Sequence, residues 1–254
     1  KAEEFYNKAL KLNPKNQHYL FNKSLVLLKK RNYIKAWPLY DLRIGLRNKN
    51  DKIFNLIKKN IYLSNKLPNN KNYKFCIMPE QGIGDQLLFS TMYNDFLKRY
   101  PKAFIFTDKR LRNTFQNTFK FNNFVNQENI GKIKELIKNK YKFLYAASLG
   151  KFFRNNIKDF SNAIKLKVNI NIKNKIKKKL EKYKKKQLIG ISWYSESKSL
   201  NSKSINLNDF NKLFQNNNYL FINLQYGSAA NEINKSKKFK NKIVNFNEID
   251  IYND

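Results

Sequence analysis

The chain has 254 residues, of which 41% are hydrophobic and 15% aromatic, so it is long and apolar enough to fold as one large or two modest domains. Its net charge of +34 comes mostly from lysines spread along the whole chain among many asparagines and isoleucines, which favours coding bias over a specific nucleic-acid site. One cysteine excludes an intramolecular disulfide, and the lack of a signal-peptide pattern and of an apolar run near ~20 residues predicts a soluble cytoplasmic protein without a transmembrane segment.

Residues 1–46 have the pattern of helical hairpins. Ala2, Tyr6, Ala9 and Pro14 fall at the spacing that closes a tetratricopeptide repeat, and a similar pattern follows at a period of about 34 residues. Because about three repeats are needed for independent stability, we expect this part to pack on the next domain or to continue upstream. We interpret His18, the sole histidine, as a surface residue.

The cluster at residues 37–43, in which Trp37 and Tyr40 share a helix face with Arg43 near them, has two interpretations. It either seals the repeats against the next domain or forms an acceptor-binding surface. Residues 47–72 then predict a helix and a linker.

Residues 73–100 are the stretch around which the rest of the chain is organised. An apolar run at 75–78 predicts a buried strand, and residues 80–85 predict a glycine-rich turn. An amphipathic helix follows, with Leu87, Leu88, Met92, Phe96 and Leu97 on its apolar face. Gly82 and Gly84 would let the backbone approach a ligand beside the N–H groups of the helix start, so we expect the substrate there.

Strands and helices alternate after this turn. The pattern predicts strands at 103–108, 124–125 and 141–147, helices at 109–119 and 130–139, a basic helix at 173–186, strands at 188–193 and 219–225, and a helix at 208–214. This alternation indicates an α/β class with parallel sheets and right-handed crossovers. The second sheet has only about two strands before the sequence ends, so we expect a truncated second domain. The predicted divisions are 1–65, 66–170 and 171–254.

Three kinds of chemistry fit the glycine-rich turn. A dinucleotide site would use Gly82, Gly84 and a ribose-binding Asp108, but the third glycine is missing and Asp85 would oppose a pyrophosphate. A P-loop is disfavoured because the Gly-Lys-Ser/Thr that it requires does not follow this turn. Asp85 instead suits a general base for a hydroxyl, with Glu80 as a second acid nearby, or it only caps the helix. No cluster of carboxylates and histidines predicts a metal site.

In the second half, a polar loop follows the strand that ends at Trp193. Its serines and lysines are placed to bind phosphate, although an ordinary polar loop explains them as well. These residues are Ser195, Ser197, Lys198, Ser199 and Lys203.

The motifs EQGIGDQLLF, SLGKFF, GISWYSES, KSINL and FINLQYG, preceded by WPLYDLR, occur in this order over nearly the whole chain. This order resembles the tetratricopeptide-repeat glycosyltransferases related to the ADP-heptose:lipopolysaccharide heptosyltransferases. The resemblance implies a GT-B fold, with two Rossmann-like domains that hold mainly the acceptor on the first and the nucleotide-sugar on the second. It departs at Asn206, where proline is usual, and at Met78-Pro79.

The resemblance also implies residue roles for an inverting, metal-independent sugar transfer without a cofactor, in which a nucleotide-sugar is the co-substrate. Asp85 would be the general base and Lys203 would contact the donor phosphates. The acceptor would be a glycan, a lipid-linked glycan or a protein, and the repeats could bind a protein partner. Implied substrate-binding residues are Glu80, Gln81, Gly82, Gly84 and Ser148, and implied donor-binding residues are Ser192, Trp193, Lys203, Ser204 and Gln225.

Three alternatives remain open: a non-catalytic interaction module on a degenerate α/β platform, a nucleic-acid binder driven by charge, and a dinucleotide-dependent enzyme. We expect the 254-residue chain alone to be inactive because most of the donor domain would be missing.

Overall fold

The computed structural model describes residues 1–47, 50–161, 164–195, 204–225, 227, 231–235, 239 and 242–246. The chain is a mixed α/β protein with two small parallel sheets. It forms two compact units, Lys1–Val168 and Asn169–Asp254.

The first unit begins with helices α1 (Ala2–Leu12), α2 (Gln17–Lys29) and α3 (Tyr33–Tyr40), and α3 runs into a 3-10 turn at Asp41–Ile44. The side chain of Asn16 accepts a hydrogen bond from the Tyr19 N–H at 3.1 Å and thereby starts α2. Leu27 and Ala36 are buried where α2 and α3 pack together. A short helix, α4 (Lys52–Ile57), starts at Asp51 and leads to the linker.

The first sheet is parallel, with the strand order β3-β2-β1-β4. Its strands are β1 (Phe75–Met78), β2 (Phe104–Thr107), β3 (Phe124–Asn126) and β4 (Lys142–Tyr145). Alternate residues of β1 enter two different core layers, Phe75 and Ile77 in one and Cys76 and Met78 in the other. A parallel strand that is buried on both faces reads as a continuous apolar run, which is the signal that predicted β1.

Helices cover both faces of this sheet. They are α5 (Ile83–Ser90), α6 (Tyr93–Arg99), α7 (Lys109–Phe119), α8 (Ile130–Lys138) and the one-turn α9 (Gly150–Phe153). Phe96 of α6 and Phe115 of α7 pack with Phe75, whereas Ile133 of α8 packs with Cys76. The three-layer arrangement places the loops that follow the strands together at one edge of the sheet.

The single helix expected after the glycine-rich turn is in fact two helices. Ser90 and Thr91 donate their hydroxyls back to the carbonyls of Leu87 and Leu88, at 2.8 and 2.7 Å, where α5 ends. Such local bonds compete with the regular helical ladder. Leu88, expected on the apolar face, is 61% exposed and does not belong to the core.

The second unit contains α10 (Ile170–Leu180), followed by a 3-10 turn at Glu181–Tyr183, and strands β5 (Gln187–Ile191), β6 (Tyr219–Asn223) and β7 (Ile243–Val244). The sheet is parallel in the order β5-β6-β7, so it has a third strand beyond the two expected. A 3-10 turn at Leu207–Phe210 continues into α11 (Asn211–Phe214), and α12 is Asn231–Lys235. Trp193, Phe214 and Phe221 form the centre of its core.

Within the described ranges, no helix combines the length and the apolar character needed to cross a bilayer.

Candidate functional site

The carboxyl ends of β1 and β4 mark the topological switch point of the first sheet. From β1 the chain continues to β2 on one side, while β4 pairs with β1 on the other side. In open parallel sheets, ligands bind in the crevice outside such a point. The residues that follow β1 include Glu80 and Gln81, and a 3-10 turn at Ala146–Leu149 follows β4.

Asp85 lies at the third position of α5, in the first turn of the helix. Gly82 is the N-cap and no side chain caps this helix by a hydrogen bond. The Asp85 side chain is exposed, and its carboxylate has no hydrogen-bond or ion-pair partner among the described residues. The structure therefore leaves this carboxylate available to a ligand.

Glu80 is in a different situation, because its side chain is 8% exposed and fully bonded. Arg43 donates to it at 2.7 Å, Arg47 at 3.3 Å and the backbone N–H of Ala147 at 3.1 Å. Burial acts to lower the pKa of Arg43, but Glu80 and Asp41, with a smaller contribution from Tyr40, together outweigh it and the pKa is raised. Glu80 thus ties the helical segment to the ends of β1 and β4.

Ser148 belongs to the same network. Its hydroxyl donates to Asp41 at 2.6 Å and lies 3.4 Å from an Arg43 nitrogen, and Lys151 pairs with Asp41 at 2.7 Å. These contacts join the 3-10 turn after α3 to the turn after β4. The side chain of Ser148 is buried, and its bonds are made within the protein.

Trp37 supplies a second seal between the helical segment and the sheet. Its indole N–H donates to the Arg154 carbonyl at 2.7 Å, and its ring lies against Gly150, where a Cβ would come within 2.7 Å of the indole. Of the two interpretations of residues 37–43, the sealing one has direct contacts. The acceptor surface stays a prediction.

Gln86, beside Asp85, is a site residue that the sequence reasoning missed. Its side chain is 1% exposed. Its carbonyl oxygen accepts from the Thr107 hydroxyl at 3.0 Å and from the Asp108 N–H at 2.9 Å, and its amide group donates to Gln127 at 3.0 Å. Gln86 therefore links the ends of β1, β2 and β3. The available signal was its spacing from buried Phe89, Ser90 and Tyr93, which makes it a polar residue on the inward helix face.

Asp108, the ribose-binding candidate of the dinucleotide interpretation, is used within its own helix. Its carboxylate caps α7 and pairs with the Arg110 guanidinium at 2.8 Å. The hydrogen bond from the Arg110 side chain lowers the pKa of Asp108. The carboxylate is thus held by α7, which weakens the dinucleotide interpretation.

Two adjacent clefts of about 270 Å³ each open at the switch point. The Asp85 cleft contains Tyr40, Arg43 and Asp85, and the Tyr145 cleft contains Asp51, Gln127, Glu128 and Tyr145. Arg47, Glu80 and Gln81 line both. The Arg47–Glu80 ion pair consequently lies where the two clefts meet.

In the second unit, the loops after β5 and β6 meet through Gln225. Its side-chain oxygen accepts from the Ser192 hydroxyl and from the N–H groups of Trp193 and Tyr194, each at 3.0 Å. The Trp193 side chain is buried and donates to Glu232 at 3.1 Å, and Ser204 accepts from the Ser195 N–H at 2.9 Å. The structure therefore brings four of the five donor-binding candidates close together. The fifth, Lys203, lies outside the described residues, as do Ser197, Lys198 and Ser199.

The described residues contain no group of three or more histidine, cysteine or acidic side chains placed to hold a metal ion. In comparisons with protein-family models, curated proteins and solved structures, nothing matches this chain.

Proposed function

We propose that the chain is part of an inverting, metal-independent glycosyltransferase of GT-B type with tetratricopeptide-like repeats at its start. The donor would be a nucleotide-sugar, and the acceptor a hydroxyl of a glycan, a lipid-linked glycan or a protein. The observation that carries the proposal is the free carboxylate of Asp85, in the first turn of the helix that follows β1. It faces a cleft at the switch point of a parallel sheet, where such folds bind their ligands.

Asp85 has the properties of a general base in this proposal. It is accessible, it has no partner in the described part of the chain, and it lies in the first turn of a helix. It would take the proton of the acceptor hydroxyl while the oxygen forms a bond to the anomeric carbon. The bond from that carbon to the nucleoside diphosphate breaks on the opposite side, so the configuration inverts.

Glu80 and Ser148, implied as substrate-binding residues, act in this proposal by holding the cleft in shape. Their polar atoms are bonded to Arg43, Arg47 and Asp41. Gln81, Gly82 and Gly84 stay candidates for direct contact. The second unit would bind the donor around Ser192, Trp193, Ser204 and Gln225, and Lys203 is assigned to the donor phosphates by the resemblance alone.

Asp85→Asn tests the proposal because asparagine keeps the shape and cannot accept the proton. We expect turnover to fall by about 10²- to 10⁴-fold with nearly unchanged donor binding. The assay measures nucleoside diphosphate release and product formation by the full-length protein with a panel of nucleotide-sugars and acceptors. Turnover like that of the wild type would contradict the role of Asp85 as general base and leave it only as a charge at the start of α5.

Glu4→Gln is the matched control. Glu4 is also an exposed acid at the third position of a helix, so its substitution removes one charge from the same kind of environment. We expect it to leave turnover unchanged. If the wild-type protein bound no nucleotide-sugar at all, the non-catalytic interaction module would be the better account.

A further inference from the structure

The hydroxyl of Tyr145 is an unused polar group in the wall of the Tyr145 cleft. The residue is 2% exposed and ends β4, and the Arg47 guanidinium lies 3.9 Å from the centre of its ring. The hydroxyl has no hydrogen-bond partner among the described residues, and it is not sealed from solvent as the hydroxyl of Tyr93 is. Tyr145 lines this cleft, so the cleft is where a ligand would reach the hydroxyl.

Burial raises the pKa of Tyr145 to about 12, so the phenol is a neutral donor at physiological pH. The hydroxyl has no protein partner and is reached by solvent, so it is available to donate to a ligand. The same cleft offers Gln81, whose side chain makes no bond within the described residues, and the part of the Gln127 amide that Gln86 does not use.

The charges of the two clefts are not those of the whole molecule. Arg43 contacts the carboxylates of Asp41 and Glu80, and Arg47 contacts those of Asp51 and Glu80, so both cations are neutralised locally. The carboxylates without partners in the described chain are Asp85 in one cleft and Glu128 in the other. A phosphate placed here would meet two free negative charges and no free arginine.

We propose that the Tyr145 cleft binds an uncharged, hydroxyl-rich sugar unit of the acceptor, next to the unit whose hydroxyl reaches Asp85. The inference rests on the proposed function for the role of Asp85. Sugar hydroxyls both donate and accept, so one sugar can accept from Tyr145 and Gln127 and donate to Glu128. The ring of the same sugar can lie against Ile53, a partly exposed apolar residue that also lines the cleft.

The experiment measures binding without any donor, by titration followed with saturation-transfer NMR. The probes are neutral trisaccharides of glucose, galactose and N-acetylglucosamine, and the same trisaccharides carrying one phosphate. We expect saturable binding of a neutral trisaccharide at millimolar concentrations and weaker binding of its phosphorylated form. Tyr145→Phe, which removes only the hydroxyl, should raise the dissociation constant of the neutral trisaccharide by about 3- to 10-fold. Glu128→Gln should reduce the difference in affinity between the neutral and the phosphorylated trisaccharide.

Two matched controls separate the cleft from the rest of the surface. Tyr141→Phe changes a tyrosine next to the opposite end of β4, and Glu135→Gln changes an acid on α8 that pairs with Lys132. Both should bind sugars like the wild type. The inference is overturned if no neutral trisaccharide binds saturably, if the phosphorylated forms bind more tightly, or if Tyr145→Phe has no more effect than Tyr141→Phe.

The outcome is separable from that of the proposed function. If the protein bound sugar through Tyr145 but had no transferase activity, the sugar-binding cleft would be supported and the proposed enzymatic function would be contradicted. If sugar transfer depended on Asp85 but was unaffected by Tyr145→Phe, the proposed enzymatic function would be supported and this sugar-binding subsite would be contradicted.

Discussion

Gln86 shows how a single uncharged side chain fixes the geometry around a candidate base. It lies directly after Asp85 and points inward, with its carbonyl oxygen bonded to Thr107 and Asp108 and its amide group bonded to Gln127. The amide group also donates to the Glu80 carbonyl at 3.4 Å, so both ends of the amide are used and their bonds reach three neighbouring strand ends. An apolar residue of similar size would fill the space but leave several buried polar groups without partners.

Gln86→Leu should lower the free energy of unfolding of the first unit by about 2 to 4 kcal/mol, since each unpaired buried group costs about 1 to 3 kcal/mol. Urea unfolding followed by tryptophan fluorescence measures this. The chain has two tryptophans, so a Trp193→Phe background leaves Trp37 as the reporter of the first unit. Gln116→Leu is the control, because Gln116 donates only at 3.5 Å to an exposed carbonyl. Equal losses in the two variants would contradict the role given to Gln86.

At the scale of elements, two glycines at helix starts have opposite surroundings. A Cβ at Gly150, at the start of α9, would come within 2.7 Å of the Trp37 indole, whereas a Cβ at Gly84, in the first turn of α5, would meet no atom within 4 Å. Neither residue has a positive φ. Gly150 is needed for the packing of α3 on α9, while nothing in the described protein requires a glycine at Gly84.

Gly84→Ala should therefore raise stability by up to about 1 kcal/mol, because alanine is the better helix former and restricts the unfolded chain. If the acceptor approaches the backbone beside Asp85, the same variant should slow transfer, since the methyl group occupies that space. Thermal unfolding and the transferase assay measure the two effects. A more stable variant with unchanged transfer would mean that no ligand passes close to Gly84.

Gly150→Ala gives the contrasting result with the same chemical change. Overpacking against Trp37 should destabilise the first unit by about 1 to 3 kcal/mol. Transfer per folded molecule should change little, because Gly150 lines neither the Asp85 cleft nor the Tyr145 cleft.

Local patterns were sufficient for most of the elements. The apolar run of β1 and the spacing of α7 and α8 gave bounds close to those observed, because these signals lie within a few consecutive residues. The break between α5 and α6 and the two-residue strand β7 were missed. The break depends on side-chain hydroxyls that compete with the backbone, and β7 is too short to carry a periodic pattern.

The candidate site was predictable in position but not in detail. The turn at Gly82 and Asp85 could be located from the strand and helix around it. The partners of Glu80 could not, since Arg43 and Ala147 lie 37 and 67 positions away in the sequence. Tyr145 was likewise assigned only to a strand, because its position in a cleft wall depends on the α4 region and on the loop after β3. The pairing of β1 with β4 brings Ala147 to Glu80, and the packing of the helical segment on the sheet brings Arg43 and Arg47 there.

At the scale of the whole molecule, the net charge of +34 differs in sign from the unpaired charges that line the two clefts. The excess lysines attract polyanions wherever they lie on the surface, and this attraction acts over a Debye length of about 10 Å at 0.1 M salt. In the two clefts the arginines are already paired and the free charges are negative. General attraction to polyanions and recognition of an uncharged sugar are therefore expected to respond differently to salt.

Raising the sodium chloride concentration should distinguish general attraction to polyanions from recognition of an uncharged sugar. Affinity for a labelled DNA duplex, measured by fluorescence anisotropy, should fall linearly in log K against log salt and show no preference between unrelated sequences, because it arises from the release of counterions by scattered lysines. The dissociation constant of the neutral trisaccharide should stay constant over the same range, since no net charge is exchanged. Tyr145→Phe should weaken the binding of the trisaccharide and leave the affinity for DNA unchanged. DNA affinity that persisted at high salt and depended on the base sequence would instead favour the nucleic-acid binder, and the lysines would then be part of its function.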